Sequence, residues 1–114
     1  PEGGFWHKAI YPQQMWLDGL FMAQPFHAQY ARTMAAPAER DSILADVVRQ
    51  FALMARHARD PRTGLLYHAW DAARAQPWAD PATGRSANFW ARAVGWYVVG
   101  IVETLDWMPA DHPG

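Results

Sequence analysis

One carboxylate stands in a strongly aromatic stretch near the start of the chain. Residues 5–22 read Phe-Trp-His-Lys-Ala-Ile-Tyr-Pro-Gln-Gln-Met-Trp-Leu-Asp-Gly-Leu-Phe-Met, and Asp18 is the only acidic residue among them. An apolar neighbourhood disfavours the charged form of a carboxyl group, which is how such a group becomes a proton donor near neutral pH. An Asp ahead of Gly19 is equally explained as a helix-capping residue. The residue types alone leave both roles open.

A second candidate combines an arginine with tryptophans. Residues 88–96 read Asn-Phe-Trp-Ala-Arg-Ala-Val-Gly-Trp, so Arg92 and Trp96 are i, i+4 neighbours on one helical face. A partly buried guanidinium with no acid nearby in sequence needs an anion, either a structural carboxylate or one on a ligand. Trp90 and Trp96 are also explained as ordinary core residues of a buried helix.

The histidines show no metal-binding spacing. His7 and His68 are isolated, and the chain has no cysteine, no His-x-x-x-His pair and no carboxylate cluster. The chain also lacks a glycine-rich phosphate loop and a nucleophile elbow. We therefore predict neither a metal nor a cofactor.

Composition narrows the class of protein. Half of the 114 residues are hydrophobic, which excludes a disordered chain, and seven tryptophans suit sugar-stacking platforms as well as a core. The net charge is −1 without a basic run, which predicts no nucleic-acid partner. The longest apolar run, 93–102, is too short to span a membrane. The absence of cysteine fits a cytoplasmic location, which we predict.

Periodicity predicts helices in the first half of the chain. One helix should run from about 15–18 to Met34, with Pro25 kinking or splitting it. A linker around Pro37 should follow, and Asp41 or Ser42 should cap a second helix over 43–59. This second helix carries an apolar stripe and polar residues off it, so it should be an outer, half-exposed helix.

The second half contains a repeated turn. The pentapeptide Asp-Pro-x-Thr-Gly occurs at 60–64 and again at 80–84, and each copy predicts a tight turn with Gly at positive φ. A short extended piece over 65–71 should lie between them. A last helix, from 86–89 to Trp107, is apolar nearly all round and should be buried on both sides. No segment alternates with period two for long enough to predict a sheet.

Several uncommon motifs follow one another in an order that resembles the glycoside hydrolase family 105 unsaturated rhamnogalacturonyl hydrolases. His7 lies eleven residues before Asp18 in the Trp-x-Asp pair, and Trp78 follows a longer motif at 60–71. That longer motif is Asp-Pro-x-Thr-Gly-Leu-x-Tyr-His-x-Trp-Asp, and the run Phe-Trp-x-Arg-x-x-Gly-Trp closes the series at 89–96. The similarity extends over essentially the whole chain.

The resemblance implies a fold, an activity and roles for particular residues. The implied class is all-α, with residues 1–114 forming one central part of an (α/α)6 barrel whose N-terminal and C-terminal parts are absent. The implied activity is release of 4,5-unsaturated galacturonic acid from the non-reducing end of pectin-derived oligosaccharides, by hydration of the C4=C5 double bond without a cofactor. Asp18 matches the general acid/base, while a second essential Asp lies upstream in family members. The substrate-contacting positions that match are His7, Trp16, His68, Trp90, Arg92 and Trp96.

Two alternatives remain open at this point, and the oligomeric state is not predicted. The related family 88 type of unsaturated glucuronyl hydrolase shares the fold and acts on glycosaminoglycan fragments. A helical-hairpin module that binds a protein partner is the non-enzymatic alternative. An enzyme requires Asp18, His68, Trp90, Arg92 and Trp96 to converge on one concave end, whereas an interaction module does not.

Overall fold

Three helices and one small sheet form the computed structural model, which describes residues 2–113. The elements in order are β1 (Gln14–Trp16), α1 (Leu17–Thr33), α2 (Pro37–Ala58), β2 (Ala69–Asp71) and α3 (Ala91–Leu105). The two strands have only three residues each. The architecture is thus predominantly helical, as predicted.

Helix α1 carries Pro25 in its interior, where the sequence predicts a kink or a split. The helix nevertheless runs from Leu17 to Thr33 as one element. Pro25 has no N–H to donate to the carbonyl of Phe21, which weakens the helix locally. Buried residues on both sides of the proline hold the two halves in place: Leu17, Leu20, Gln24, Ala28 and Ala31. The predicted split is therefore wrong.

Helix α2 begins earlier than predicted. The expected linker at 35–40 belongs largely to the helix, which begins at Pro37 instead of after a cap at 41–42. Proline is well suited to the first helical position, because its fixed φ is already helical and its missing N–H would have no partner there. The expected C-terminal end, Arg59, is one residue beyond the observed end at Ala58.

The prediction that no sheet forms is wrong. Strand β1 pairs with β2 in antiparallel register, with Met15 opposite Trp70. Single bridges join Tyr67 to Phe89 and Trp70 to Arg85, so the extended piece predicted over 65–71 does form. Three-residue strands are too short to show alternation, and their pairing depends on segments far apart in sequence.

Both predicted Asp-Pro-x-Thr-Gly turns are confirmed. The Thr63 hydroxyl donates to an Asp60 carboxylate oxygen at 2.8 Å, and the Thr83 hydroxyl donates to Asp80 at 2.7 Å. The closing glycine of each turn has φ of +76°. The hydrogen bond from the threonine hydroxyl stabilises the carboxylate of each Asp. This bond is the main reason why the pKa of each Asp is lower than the ordinary value of 3.8.

Helix α1 packs between the other two helices. Buried residues at the start of α1 pack against residues at the end of α2, and those at the end of α1 pack against the start of α2. These two helices are therefore antiparallel. Helices α1 and α3 are parallel, because Asp18 meets Arg92 and Phe21 meets Trp96 further along both helices. Gly100 permits this approach, since a Cβ there would lie 3.1 Å from the Phe21 Cα. The N-termini of α1 and α3 consequently lie at the same end.

Helix α3 is buried on one face only. Ala93, Tyr97, Gly100 and Thr104 face the core. The opposite face is apolar and exposed, with Val98, Val99, Val102 and Leu105. No helix within residues 2–113 packs against Val98, Val99 or Val102, so burial of α3 on both sides stays a prediction for the full-length protein.

Candidate active site

The junction of β1 and α1 positions Asp18. Trp16 is extended and immediately precedes the helix, so Asp18 lies in its first turn. The Leu17 N–H donates to the carbonyl of His68 at 3.0 Å, which ties the start of α1 to the segment that leads into β2. Asp18 and His68 are therefore held in a fixed relation, although they are distant in sequence.

Asp18 and Arg92 form an ion pair at the shared end of α1 and α3. The Arg92 Nε donates to the Asp18 Oδ1 at 3.1 Å. The Asp18 side chain is 16% exposed and the Arg92 side chain 58% exposed. The positive end of the α1 dipole and the Arg92 guanidinium both stabilise negative charge at Asp18. Its second oxygen, Oδ2, is buried and makes no hydrogen bond to the described residues.

A group of three nearly parallel rings lies beside this ion pair. His7 stacks on Trp16 with ring centroids 4.4 Å apart, and Tyr11 stacks on Trp16 at 5.5 Å. Burial lowers the pKa of His7 below 6.5, as does Lys8, while Asp18 opposes the shift. His7 is thus neutral at pH 7. Gly19 allows this packing, since a Cβ there would lie 3.0 Å from the His7 Nδ1.

His68 is at the centre of a group of tryptophans. Its Nδ1 lies 3.1 Å from the carbonyl oxygen of Asn88 and 2.9 Å from the Ser86 hydroxyl. A carbonyl oxygen only accepts, so the His68 Nδ1 carries a hydrogen and donates it to Asn88. The ring centroid of His68 is 6.4 Å from each of three tryptophan centroids: Trp16, Trp78 and Trp90.

The start of α3 completes the arrangement. The Arg92 Cζ lies 5.7 Å from the centre of the Trp90 ring, and Trp90 is exposed. Trp96 is one turn further along α3 and stacks on Phe21 at 4.3 Å. The structure thus connects six of the seven predicted site residues through direct contacts: His7, Trp16, Asp18, His68, Trp90 and Arg92. The seventh residue, Trp96, stacks instead on Phe21 of α1.

Several residues of this region had no role predicted from the sequence. Tyr11 lies in the ring stack, Trp78 faces His68, and Ser86 and Asn88 hold the His68 imidazole. A signal was present for Trp78, which belongs to the family-like series of motifs. Ser86 carries no signal, because its hydrogen bond to a histidine eighteen residues away depends on the loop geometry.

The site as described consists of a carboxylate, a guanidinium, two imidazole rings and aromatic walls. Within residues 2–113 no three or more His, Asp or Glu side chains lie together in a way that could hold a metal ion. The helices of this same part of the chain are also too short or too polar to cross a membrane. The arrangement can bind an anionic ring and transfer a proton to it.

Comparison with known proteins places these features in a family. The sequence profile described as Glycosyl Hydrolase Family 88 matches residues 1–114. A 24.9 kDa protein in the picA locus of Rhizobium radiobacter is 38% identical over 90 residues, which are 79% of this chain and 36% of that protein. The unsaturated rhamnogalacturonyl hydrolase YesR of Bacillus subtilis is 35% identical over 104 residues, 91% of this chain and 27% of YesR.

A solved structure agrees with the fold. A glycoside hydrolase from family 105 of C. acetobutylicum superposes with a TM-score of 0.88 and 43% sequence identity. The match covers 98% of this chain and 30% of the other. The chain therefore spans about a third of the length of the proteins that it matches.

Proposed function

The chain belongs to Glycosyl Hydrolase Family 88 and is similar to a solved family 105 enzyme, and we propose that it carries the catalytic acid/base of an unsaturated rhamnogalacturonyl hydrolase. The observation that carries this proposal is the Asp18–Arg92 pair at 3.1 Å, flanked by His7 and Trp16 on one side and by His68 and Trp90 on the other. The name of YesR supports pectin-derived oligosaccharides as the substrate class.

The chemistry of the substrate explains the need for one acid/base group. Its C4=C5 double bond is an enol ether, because the ring oxygen is attached to C5. Protonation at C4 produces an oxocarbenium ion at C5, and water then adds there. The resulting hemiketal opens and releases the next sugar. Asp18 donates the proton and, as a carboxylate, then accepts one from the attacking water.

Arg92 links substrate binding to this step. Its guanidinium is largely exposed, so the carboxylate of the unsaturated sugar can reach it. A carboxylate bound to Arg92 competes with Asp18 for the same donors. His68 accepts a sugar hydroxyl hydrogen through Nε2, and Trp16 and Trp90 provide apolar faces for the ring.

The larger architecture that we propose is an (α/α)6 barrel. The parallel helices α1 and α3, joined through the antiparallel α2, match a unit of two inner helices and one outer helix. In such a barrel the N-termini of the inner helices surround one concave end, where Asp18 and Arg92 would lie. The exposed apolar face of α3 would be covered by neighbouring helices. The cytoplasmic location remains a prediction.

The test uses the full-length protein that contains this segment, as wild type and as Asp18→Asn. Loss of the ultraviolet absorbance of the conjugated double bond is followed with unsaturated rhamnogalacturonan disaccharide. We expect turnover by the wild type and a fall of about 10²-fold or more in the variant, since proton transfer loses its donor. Asp41→Asn, on the exposed side of α2, is the matched control and should keep full activity.

Circular dichroism establishes that each variant is folded. Unchanged turnover in Asp18→Asn would leave Asp18 with only its structural pairing to Arg92 and contradict the mechanism. The match to the family 88 profile favours one second candidate, an unsaturated glucuronyl hydrolase. Turnover of an unsaturated glycosaminoglycan disaccharide, with none of the pectin-derived one, would establish that alternative.

A further inference from the structure

Gln14 is a buried polar residue that the proposed mechanism does not use. It is 3% exposed and begins β1, two residues before Trp16. Successive side chains of a strand point to opposite faces, so Gln14 and Trp16 share one face of β1. The Gln14 Oε1 accepts a hydrogen bond from the indole Nε1 of Trp16 at 3.1 Å. The polar end of the Trp16 ring is thus bound to a buried acceptor.

The main chain of Gln14 contacts the other two members of the ring stack. The His7 N–H donates to the Gln14 carbonyl at 2.8 Å, and the Gln14 N–H donates to the Tyr11 carbonyl at 3.3 Å. Gln14 itself is held in the sheet, where it lies opposite Asp71. All three residues whose rings stack are therefore bonded to one residue of fixed position.

The side-chain bond fixes the orientation of the Trp16 ring. The ring planes of Trp16 and His7 differ by 3°, with centroids 4.4 Å apart. Trp16 also meets His68 edge to face, at an angle of 83° between the rings. An indole nitrogen only donates, so an acceptor at one place selects one orientation of the ring. Rotation of the indole would break its hydrogen bond to Gln14 together with both ring contacts.

We propose that Gln14 is a positioning residue for the substrate-contacting Trp16, an inference that rests on the proposed function. Gln14 acts through the indole and contacts no reacting group. Its side-chain oxygen holds Trp16 in the plane in which the ring contacts both His7 and His68. The role requires an acceptor oxygen at this place in β1, whereas the amide nitrogen of Gln14 is dispensable.

The experiment uses the full-length protein and substitutions that separate the acceptor from the bulk of the side chain. Gln14→Met has a similar length but places no oxygen beside the indole. We expect it to raise KM for the unsaturated disaccharide by about 5–10-fold, with kcat within about 2-fold of the wild type. Gln14→Glu keeps an acceptor oxygen and should keep the wild-type KM. Gln29→Met, at an exposed position of α1, is the matched control and should change neither constant.

A double-mutant cycle tests whether Gln14 acts through the indole. Trp16→Phe keeps an aromatic ring and removes the N–H, so it should raise KM at least as much as Gln14→Met does. Gln14→Met added to Trp16→Phe should raise KM no further, because the hydrogen bond is already absent. A role of Gln14 in folding alone would instead cause the same loss in both backgrounds.

Circular dichroism establishes that each variant is folded. An unchanged KM in Gln14→Met, equal losses in Gln14→Met and Gln14→Glu, or equal effects of Gln14→Met in both backgrounds would overturn the proposal. If Gln14→Met does not fold, Trp16→Phe provides the decision, since it removes the same hydrogen bond from the donor side. A wild-type KM in Trp16→Phe would then overturn the positioning role.

Failure of the proposed function gives a different result. Wild-type protein that turns over neither unsaturated disaccharide would contradict that function, and hydrogen exchange of the Trp16 indole N–H would then decide the role of Gln14. Its nuclear magnetic resonance signal is identified by its loss in Trp16→Phe. Exchange that is slow in the wild type and in Gln14→Glu, and about 10-fold faster in Gln14→Met, would support the positioning role. Equal exchange in all three proteins would overturn it.

Discussion

Asp18 and Arg92 form the central contact of the site, and their exposures differ in a way that matters for chemistry. Asp18 is mostly enclosed by protein, whereas Arg92 reaches solvent. The positive end of a helix dipole and a guanidinium both attract a carboxylate, which keeps Asp18 and Arg92 together. In the proposed mechanism, the carboxylate of the substrate binds Arg92 in competition with Asp18.

The competition between the substrate carboxylate and Asp18 for Arg92 predicts the effect of replacing the guanidinium with an ammonium group. Arg92→Lys keeps the charge but loses the planar fork that binds a carboxylate through two parallel hydrogen bonds. We expect KM to rise about 10-fold or more in the full-length protein, with a smaller change in kcat. Initial rates against substrate concentration measure both constants. Arg62→Lys, on an exposed turn, is the control and should leave KM unchanged.

A KM for Arg92→Lys equal to that of the wild type would assign Arg92 a purely structural pairing with Asp18. A loss of kcat at constant KM would mean that Arg92 mainly stabilises the transition state. The Asp18→Asn experiment is independent of either result.

At the scale of elements, the two Asp-Pro-x-Thr-Gly turns show how nearly the same local sequence acquires different surroundings. Both turns end in Gly at φ of +76°. Gly64 is nearly free of neighbours, with only an Arg59 terminal nitrogen at 4.0 Å from the position of an added Cβ. An added Cβ at Gly84 would lie 2.2 Å from the carbonyl oxygen of Asp71. The second turn is therefore packed against β2, which follows the segment that carries His68.

The two glycines predict unequal costs of the same substitution. Gly64→Ala should destabilise the protein by about 1–2 kcal/mol, because a left-handed backbone is strained for any residue with a Cβ. Gly84→Ala should lose roughly a further 1–3 kcal/mol, since the backbone of β2 must also move. Denaturant unfolding of the two full-length variants measures the difference in free energy of unfolding. Equal losses would mean that the contact between the second turn and β2 is not rigid.

At the scale of the whole molecule, one face of α3 leaves apolar side chains exposed to solvent. Val98 is 52% exposed and Val102 58% exposed, one helical turn apart. Apolar side chains arranged in this way on a helix are typical of a surface that another element covers. The proposed barrel supplies that cover from parts of the full-length protein outside residues 1–114.

A charge on this face tests the barrel. Val98→Lys in the full-length protein should lower the free energy of unfolding by about 3 kcal/mol or more, because the ammonium would be buried without a partner. Ala38→Lys, at an exposed position of α2, should change it by no more than about 0.5 kcal/mol. Thermal unfolding of both variants makes the comparison. Equal stability of the two would show that the face of α3 remains in solvent.

The sequence by itself determined the features that depend on neighbours along the chain. The two turns follow from an Asp, a Thr and a Gly within five residues, and the presence of three helices follows from apolar periodicity. The order of uncommon motifs was enough to identify the family. The catalytic roles of the residues in these motifs remain predictions, because a residue type shows which chemistry is available and not whether that chemistry occurs.

Tertiary structure alone decided the features that join distant segments. The pairing of Met15 with Trp70 and the ion pair between Asp18 and Arg92 leave no local signal, since each partner is compatible with many others. The unbroken helix at Pro25 arises because packing on both sides outweighs one missing hydrogen bond. The free energies of local conformational preference are small compared with the free energy of burial in the complete fold. Only the tertiary structure therefore shows which local preferences are satisfied.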